Sequence, residues 1–486
     1  MSAGVAGSAG VTASAGRAGR TALPTVAVLY DLGSATPVDI MAAAHRLATV
    51  VFVADFAGEH AAATRPTLAA LGAVVDVTGL DPARRLAAVA ALAPRGVVTF
   101  SEYRLAEAAR LAAALRLPGH DADTVAALVD KFRQRRLLAE AGVQATRCAV
   151  VGADPAAALA RVGVPAVIKP RTGAGSRHTV RVDTAAEFLA VAGRLPAGVE
   201  FVAEELLAGD PAAAGADFGD YVSVESVHTA AGSRQVCVTG KFPLAEPFRE
   251  TGMILPAPIG DALADRVRAL EAAAIRALGV RHGVTHTEVK LTPDGPRIIE
   301  VNGRLGGYVP EILKRATGVN LVRAALAAAL GQPVALPEPR YRGVTYQIFL
   351  APPAVPGRIV GVRGAEQLRS LPGVSAVDVV TDFPRAYDWR DGTQSHLGVV
   401  YGAAADHAAA AGVAAAVATT FQAVSSADGA ADITADDTAA RGAAGPGATT
   451  GPGAAARGPT TGPGTAAASG AAALTGAGAS ASGGNP

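Results

Sequence analysis

Short apolar runs separated by alanine-rich stretches organise the first hundred residues of the chain. Residues 25–30, 49–54 and 96–100 are nearly continuous runs of Val, Leu, Phe and small residues, and 73–77 is a shorter one. Runs of this length, apolar on both faces, predict buried strands of a parallel sheet. The stretches between them, such as 67–71 and 84–92, are rich in alanine and predict helices. Strands alternating with helices predict a doubly wound parallel α/β sheet over residues 23–120. Residues 31–36, just past the first strand, hold one glycine, Gly33, so the fingerprint of a dinucleotide site is absent.

Beyond this region the pattern is mixed. Residues 130–142 predict a helix closed by Gly142. From 150 to about 335 strands and helices are interleaved, and 336–424 returns to short strands, clearest at 346–350, 358–362 and 376–380, with a helix near 404–417. The two ends, 1–22 and 425–486, are dominated by Ala, Gly, Ser, Thr and Pro, with Gly-Pro-Gly recurring in the second. Such composition buries too little apolar area to offset ordering entropy, so both ends are expected to be disordered.

The most informative segment is 286–302. Pro293, Asp294 and Gly295 predict a three-residue hairpin loop, with Pro at the first turn position and Gly where φ must be positive. Counting outward, Ile298 faces Lys290, Glu300 faces Glu288, and Asn302 faces His286. Directly opposed residues have Cβ atoms roughly 4.5–5.5 Å apart. Two carboxylates at that distance repel, and one takes a proton unless a cation sits between them. Glu288, Glu300 and Asn302 on one face describe a hard-metal site for Mg²⁺ or Mn²⁺. Sites of this kind commonly share the metal with nucleotide phosphates, which points to ATP. The competing reading is an amphipathic hairpin with solvated acids. Arg304, Gly306 and Gly307 weigh against it, because a cation and two glycines leaving the second strand suit a phosphate or acyl-phosphate contact.

This run resembles the last motif of ATP-grasp ligases, in the form seen in carboxylate–amine (L-amino acid) ligases. The resemblance covers roughly residues 24–424. It implies an ATP-grasp fold of mixed α/β and α+β character: an N-terminal α/β domain (23–120), an ATP-grasp domain (121–335) and a small C-terminal α+β domain (336–424). It assigns the metal to Glu288, Glu300 and Asn302, and the transferred phosphate to Arg304. Lys131 matches a phosphate-binding lysine. Lys169, at the end of an apolar strand, precedes a Gly-containing turn that matches the family's phosphate-covering loop, where amides and cations approach phosphate oxygens. Lys169 would contact the α-phosphate and adenine, and Ser176 the β/γ-phosphates. Residues 200–209 resemble the adenine hinge, with Glu204 as the side-chain position and the backbone of Glu205 to Leu207 reading the adenine edge. Tyr221 stands where the family has its ribose-binding acid, which leaves Asp217 or Asp220 to supply that contact. Lys241 matches a lysine that meets the nucleotide. Glu250 and Met253 fall near the substrate pocket, Met253 standing where the pattern often has His, and Gly306 and Gly307 complete the substrate side.

The reaction this implies is amide formation, of dipeptide type, from a carboxylate and an amine. It would use ATP and Mg²⁺ (or Mn²⁺), pass through an acyl phosphate, and release ADP and phosphate. The alternatives are a ligase for a non-amino-acid carboxylate, a biotin-carboxylase-like enzyme (the chain lacks an Ala-Met-Lys-Met segment) and a non-catalytic ATP-binding module. The formal net charge of +1 gives no reason to expect a nucleic-acid or membrane partner. Cys148 and Cys237 form no CxxC and are expected as free thiols in a reducing cytoplasm. No uninterrupted apolar stretch of about 18 residues suggests a membrane span, and residues 1–20 lack the apolar core of a signal peptide. The serine-nucleophile elbow is missing, and His282 and His286 lack the glutamate of a zinc-protease motif. The resemblance admits a homodimer.

Overall fold

A computed structural model describes residues 22–425. The expected leader and tail lie outside the described residues, apart from a few at their inner edges. The four apolar runs near the N-terminus form one parallel sheet, in the spatial order Ala73–Asp76, Thr49–Ala54, Thr25–Tyr30, Gly96–Thr99. Helices Pro37–Ala44, Glu59–Leu71 and Pro82–Ala90 connect these strands, as the alternation of apolar and alanine-rich segments predicts. The strand Gly96–Thr99 runs directly into a short turn of helix, Glu102–Arg104. That turn carries Tyr103 to the lining of the functional cavity and Glu102 to the side of Arg304.

Residues Cys148–Val151, Phe201–Glu205, Ala166–Pro170 and Val180–Val182 form a second, antiparallel sheet in that order. The central sheet has eight antiparallel strands. It begins with the hairpin Gly295–Asn302 and Gly283–Thr292 and continues through Tyr221–Thr229, Gly232–Lys241 and Gly252–Leu255. It ends with Val344–Phe349, Gly398–Ala404 and Val374–Val379, so segments from beyond residue 335 extend the same sheet. Helices Val309–Thr317 and Leu321–Ala329 share an apolar core with the parallel sheet and part of the central one. Five of the nine residues of Leu321–Ala329 are alanine and eight are buried, so its neighbours approach closely. This shared core fixes the N-terminal sheet against the elements that carry the hairpin.

The hairpin departs from the expected register near its turn. It is closed by a two-residue turn, Pro293 and Asp294, with Thr292 paired to Gly295, and Ile298 lies opposite Val289 instead of Lys290. A bulge then inserts Ile299, and Glu300 faces Glu288 while Asn302 faces His286. The shorter loop shifts the strands by one residue and the bulge shifts them back. Arg135 and Gln144 anchor the bulge: Arg135 donates to the carbonyls of Ile298 and Ile299, and Gln144 donates to the carbonyl of Ile298.

Candidate active site

Strand register sets out the site. In the central sheet Glu288 is the neighbour of Glu300 on one side and Ser223 on the other, while His286 lies between Asn302 and Glu225. Neighbours across antiparallel strands share a face, so these polar side chains lie on one face of the sheet. The second sheet and the loop after Ala166–Pro170 complete a cavity of about 400 Å³. Of the residues expected from sequence, Lys131, Lys169, Ser176, Glu204, Glu205, Leu207, Glu250, Glu288, Glu300, Asn302 and Arg304 line it.

The two opposed carboxylates each have a cation of their own. Lys131 Nζ lies 2.8 Å from Glu300 Oε1 and donates to the carbonyl of Gly173 at 2.8 Å. His286 Nε2 lies 3.3 Å from Glu288 Oε1. Burial opposes charge on Glu288, but the hydrogen bond and charge of His286, with Lys241 and Arg304 nearby, outweigh it and hold the carboxyl at about 2. The Glu288 carboxylate therefore stays ionised, as a hard cation requires. Among the described residues no group of three or more His, Cys, Asp or Glu is arranged to hold a metal. Two carboxylates and one amide fit an Mg²⁺ ion that takes the rest of its shell from phosphates and water, which is its usual habit. Asn302 Oδ1 also accepts from Arg304 Nη2 at 3.3 Å, joining the third oxygen to the expected phosphate cation.

Glu204 is held on the other wall. Arg135 meets it with two hydrogen bonds, at 3.1 and 2.9 Å, and Lys169 Nζ lies 2.8 Å away. Burial alone would raise its pKa, but the Arg135 and Lys169 charges overcome this and bring it to about 2. A carboxyl depressed on folding stabilises the protein fully above its ordinary value, 4.5, and loses that contribution as pH falls toward 2. Thermal melts between pH 5 and 2 are therefore expected to show a steep loss of stability in this window. Glu204→Gln should flatten part of that dependence while costing on the order of 3–5 kcal/mol at neutral pH, because two buried cations lose their partner. An unchanged acid profile in the variant would contradict the assignment.

The loop at 172–179 adopts left-handed backbone at Gly173, Gly175, Ser176 and His178 and lies along the cavity. Residues 388–395 from the C-terminal region hold it. His178 N–H donates to Arg390 O at 3.0 Å, Thr393 N–H donates to Gly175 O at 3.1 Å, and Arg177 faces Asp391 at 3.8 Å. Thr393 also lines the cavity, and its hydroxyl accepts from the Glu250 amide at 3.3 Å. At that end Lys241 Nζ donates to Glu250 Oε1 at 2.7 Å, so Lys241 joins the site through Glu250.

Several expected residues lie elsewhere. Asp217 is exposed and away from the cavity, and Asp220 is paired with Lys290 at 2.6 Å; Tyr221 lines the cavity in their place. Met253 is fully buried in the apolar core. Gly306 sits behind the site, its amide donating to Glu225 at 3.1 Å, and Gly307 is exposed. Sequence reasoning missed Tyr103, Leu244, Phe248, Ile299 and Thr393 on the lining, and Glu102, 3.4 Å from Arg304 Nε. Burial, only partly offset by Arg304, pushes Glu102 up to about 7. The bulge turns Ile299 inward, and an alternation count cannot see a bulge. Leu244 and Phe248 lie between Lys241 and Glu250 but carry no polar signal, and Glu102, Tyr103 and Thr393 come from segments far away in the chain.

Residues 162–311 match the ATP-grasp domain family. The structure aligns with that of an L-amino acid ligase from Bacillus licheniformis at a TM-score of 0.69 and 21% identity, covering 83% of this chain and 99% of that one. The chain carries the ATP-grasp fold. Alanine–anticapsin ligase of Bacillus subtilis is 28% identical over 263 residues, 50% of this chain and 55% of that protein. Carnosine synthase 1 of Gallus gallus is 43% identical over 95 residues, 19% of this chain and 10% of that protein. The chain thus spans about half the length of the first of these relatives and a tenth of the second. The resemblance to ATP-grasp carboxylate–amine ligases read from the sequence is borne out. No helix among the described residues of this ATP-grasp chain is long and apolar enough to cross a membrane.

Proposed function

We propose that the chain is an ATP-dependent carboxylate–amine ligase that joins two amino acids, releasing ADP and phosphate. The observation that supports this most is the continuity of one cavity. It runs from the hinge at 204–207, past the glycine loop and the opposed Glu288 and Glu300, to Arg304 and Glu250. The amides of Glu205 and Leu206 already donate to the carbonyls of Arg147 and Pro165, so the adenine edge falls to Leu207, with Val167 and Ile299 as apolar walls. Lys131, Lys169 and the loop amides take the phosphates. Glu288, Glu300 and Asn302 would hold Mg²⁺, which supplies charge neutralisation for phosphoryl transfer.

Arg304 stands where it can balance charge on the transferred phosphoryl group and on the oxyanion formed when the amine attacks the acyl carbon. In this reading the first carboxylate attacks the γ-phosphorus of ATP and displaces ADP, giving the acyl phosphate. The amine then adds to its acyl carbon, and the adduct expels phosphate and loses the amine proton as the amide bond closes. Glu250, fixed by Lys241, presents a carboxylate to the substrate end, suited to an ammonium group. Tyr103, Leu244 and Phe248 give that end an apolar border that limits water. The relatives named as ligases and as a synthase support the same reading. The deciding experiment is ADP and phosphate release from Mg-ATP across a matrix of paired amino acids, with mass spectrometry of each mixture. Release that needs two amino acids, with a condensed product, is the expected result. Nucleotide binding without release on any pair would move the reading to another carboxylate or to a non-catalytic module.

A further inference from the structure

Glu225 is completely buried and lies outside the cavity lining, yet both of its oxygens point at the site. One is hydrogen-bonded to His286 Nδ1, and the other nitrogen of that ring meets Glu288 Oε1 at 3.3 Å. The second oxygen of Glu225 accepts from the amide of Gly306 at 3.1 Å, in the turn that begins with Arg304. The turn and the imidazole are also packed together. A Cβ on Gly306 would come within 2.5 Å of His286 Nδ1, so only glycine lets the turn close on the ring.

We infer that Glu225 is a positioning residue. Through one carboxylate it sets both the orientation of the metal-binding Glu288 and the path of the turn that carries Arg304. A buried carboxylate without partners is costly, and this one has all its partners in the two parts of the site that must move together. Carboxylates that ligate metals depend on such supporting hydrogen bonds, and losing one typically costs about 10–100-fold in metal affinity or activity. The arrangement ties the metal to the phosphate cation: displacing His286 disturbs Glu288 and, through Glu225, the Arg304 turn.

This inference rests on the reading of Glu288 and Arg304 given above, and its test separates the two. Mn²⁺ binding to the ADP complex is measured by electron paramagnetic resonance for the wild-type chain, Glu225→Gln, Glu225→Ala and Gly306→Ala. Metal-free ADP affinity and thermal unfolding are measured alongside. The expected result is Mn²⁺ affinity lowered about 10–100-fold in all three variants, with metal-free ADP affinity unchanged. Glu225→Gln should suffer less than Glu225→Ala, because its amide oxygen can still accept from Gly306. A general loss of structure would lower ADP affinity too, which sets it apart. Should Glu225→Ala fail to fold, the nearly isosteric Glu225→Gln carries the test. Wild-type Mn²⁺ affinity in a folded Glu225→Gln would overturn the role of Glu225 alone. Absence of Mn²⁺ binding by the wild-type ADP complex would overturn the metal site and this role together.

Discussion

Glu300→Gln is expected to abolish ADP release while leaving the fold intact. Glu300 faces Glu288 across the hairpin and shares Lys131 with the loop carbonyl of Gly173. Glu300 is only partly buried, and Lys131 keeps the carbonyl of Gly173 as well as the glutamine oxygen, so the variant stays well short of the roughly 3–5 kcal/mol that stranding a fully buried charge costs. It removes one of the two carboxylates from the expected metal site, leaving Glu288 and the amide of Asn302. A small, strongly hydrated cation gives up water reluctantly and for anionic ligands first. With one carboxylate left, charge on the transferring phosphoryl group is no longer balanced at this point. Thermal unfolding should change little, and ADP release should fall below detection on any substrate pair. Normal turnover in a folded Glu300→Gln chain would remove Glu300 from the reaction.

How much of this site was legible depends on how local each relation is. The pairing of Glu288 with Glu300, and of His286 with Asn302, follows from alternation along two strands joined by a short turn. That count misjudged both the loop and the bulge at Ile299, and the two errors cancelled. A period of two shows which residues share a face as long as nothing is inserted, and insertion leaves no mark in the pattern. The parallel sheet was legible because its strands are apolar on both faces, which few other environments produce. Glu225 illustrates the opposite case. It closes the segment 219–225 that resembles a family motif, but nothing in that match gives it a role, which arises from His286 and Gly306, 61 and 81 residues away. Glu102 and Thr393 reach the site from the N-terminal sheet and the C-terminal region, and no local signal marks either. Met253 shows how far pattern matching extends: it occupies a motif position, but its side chain packs into the core.

Gly392→Ala is expected to weaken nucleotide binding more than it weakens the fold. Gly392 has φ +65°, and a Cβ there would lie 1.9 Å from the carbonyl oxygen of Gly175 and 2.9 Å from the carbonyl carbon of Ser176. Both obstacles are backbone, so no rotamer change relieves them, and the segment at 388–395 must draw back from the phosphate-side loop. Retreat breaks the hydrogen bonds from His178 to Arg390 and from Thr393 to Gly175. A residue forced into such backbone costs about 1–3 kcal/mol. Taken wholly from the closed loop, that is roughly a 5- to 150-fold rise in the KM for ATP. The large apolar cores lie elsewhere, so the melting temperature should move only slightly. Proteolysis within 172–179 should become faster and lose its protection by nucleotide. Thr393→Ala separates the two contacts of this segment: it keeps the backbone bond to Gly175 and loses only the hydroxyl that accepts from Glu250. It should leave the KM for ATP unchanged and raise the KM of a substrate. An unaltered KM for ATP in Gly392→Ala would mean that the loop covers the phosphates without help from the C-terminal region.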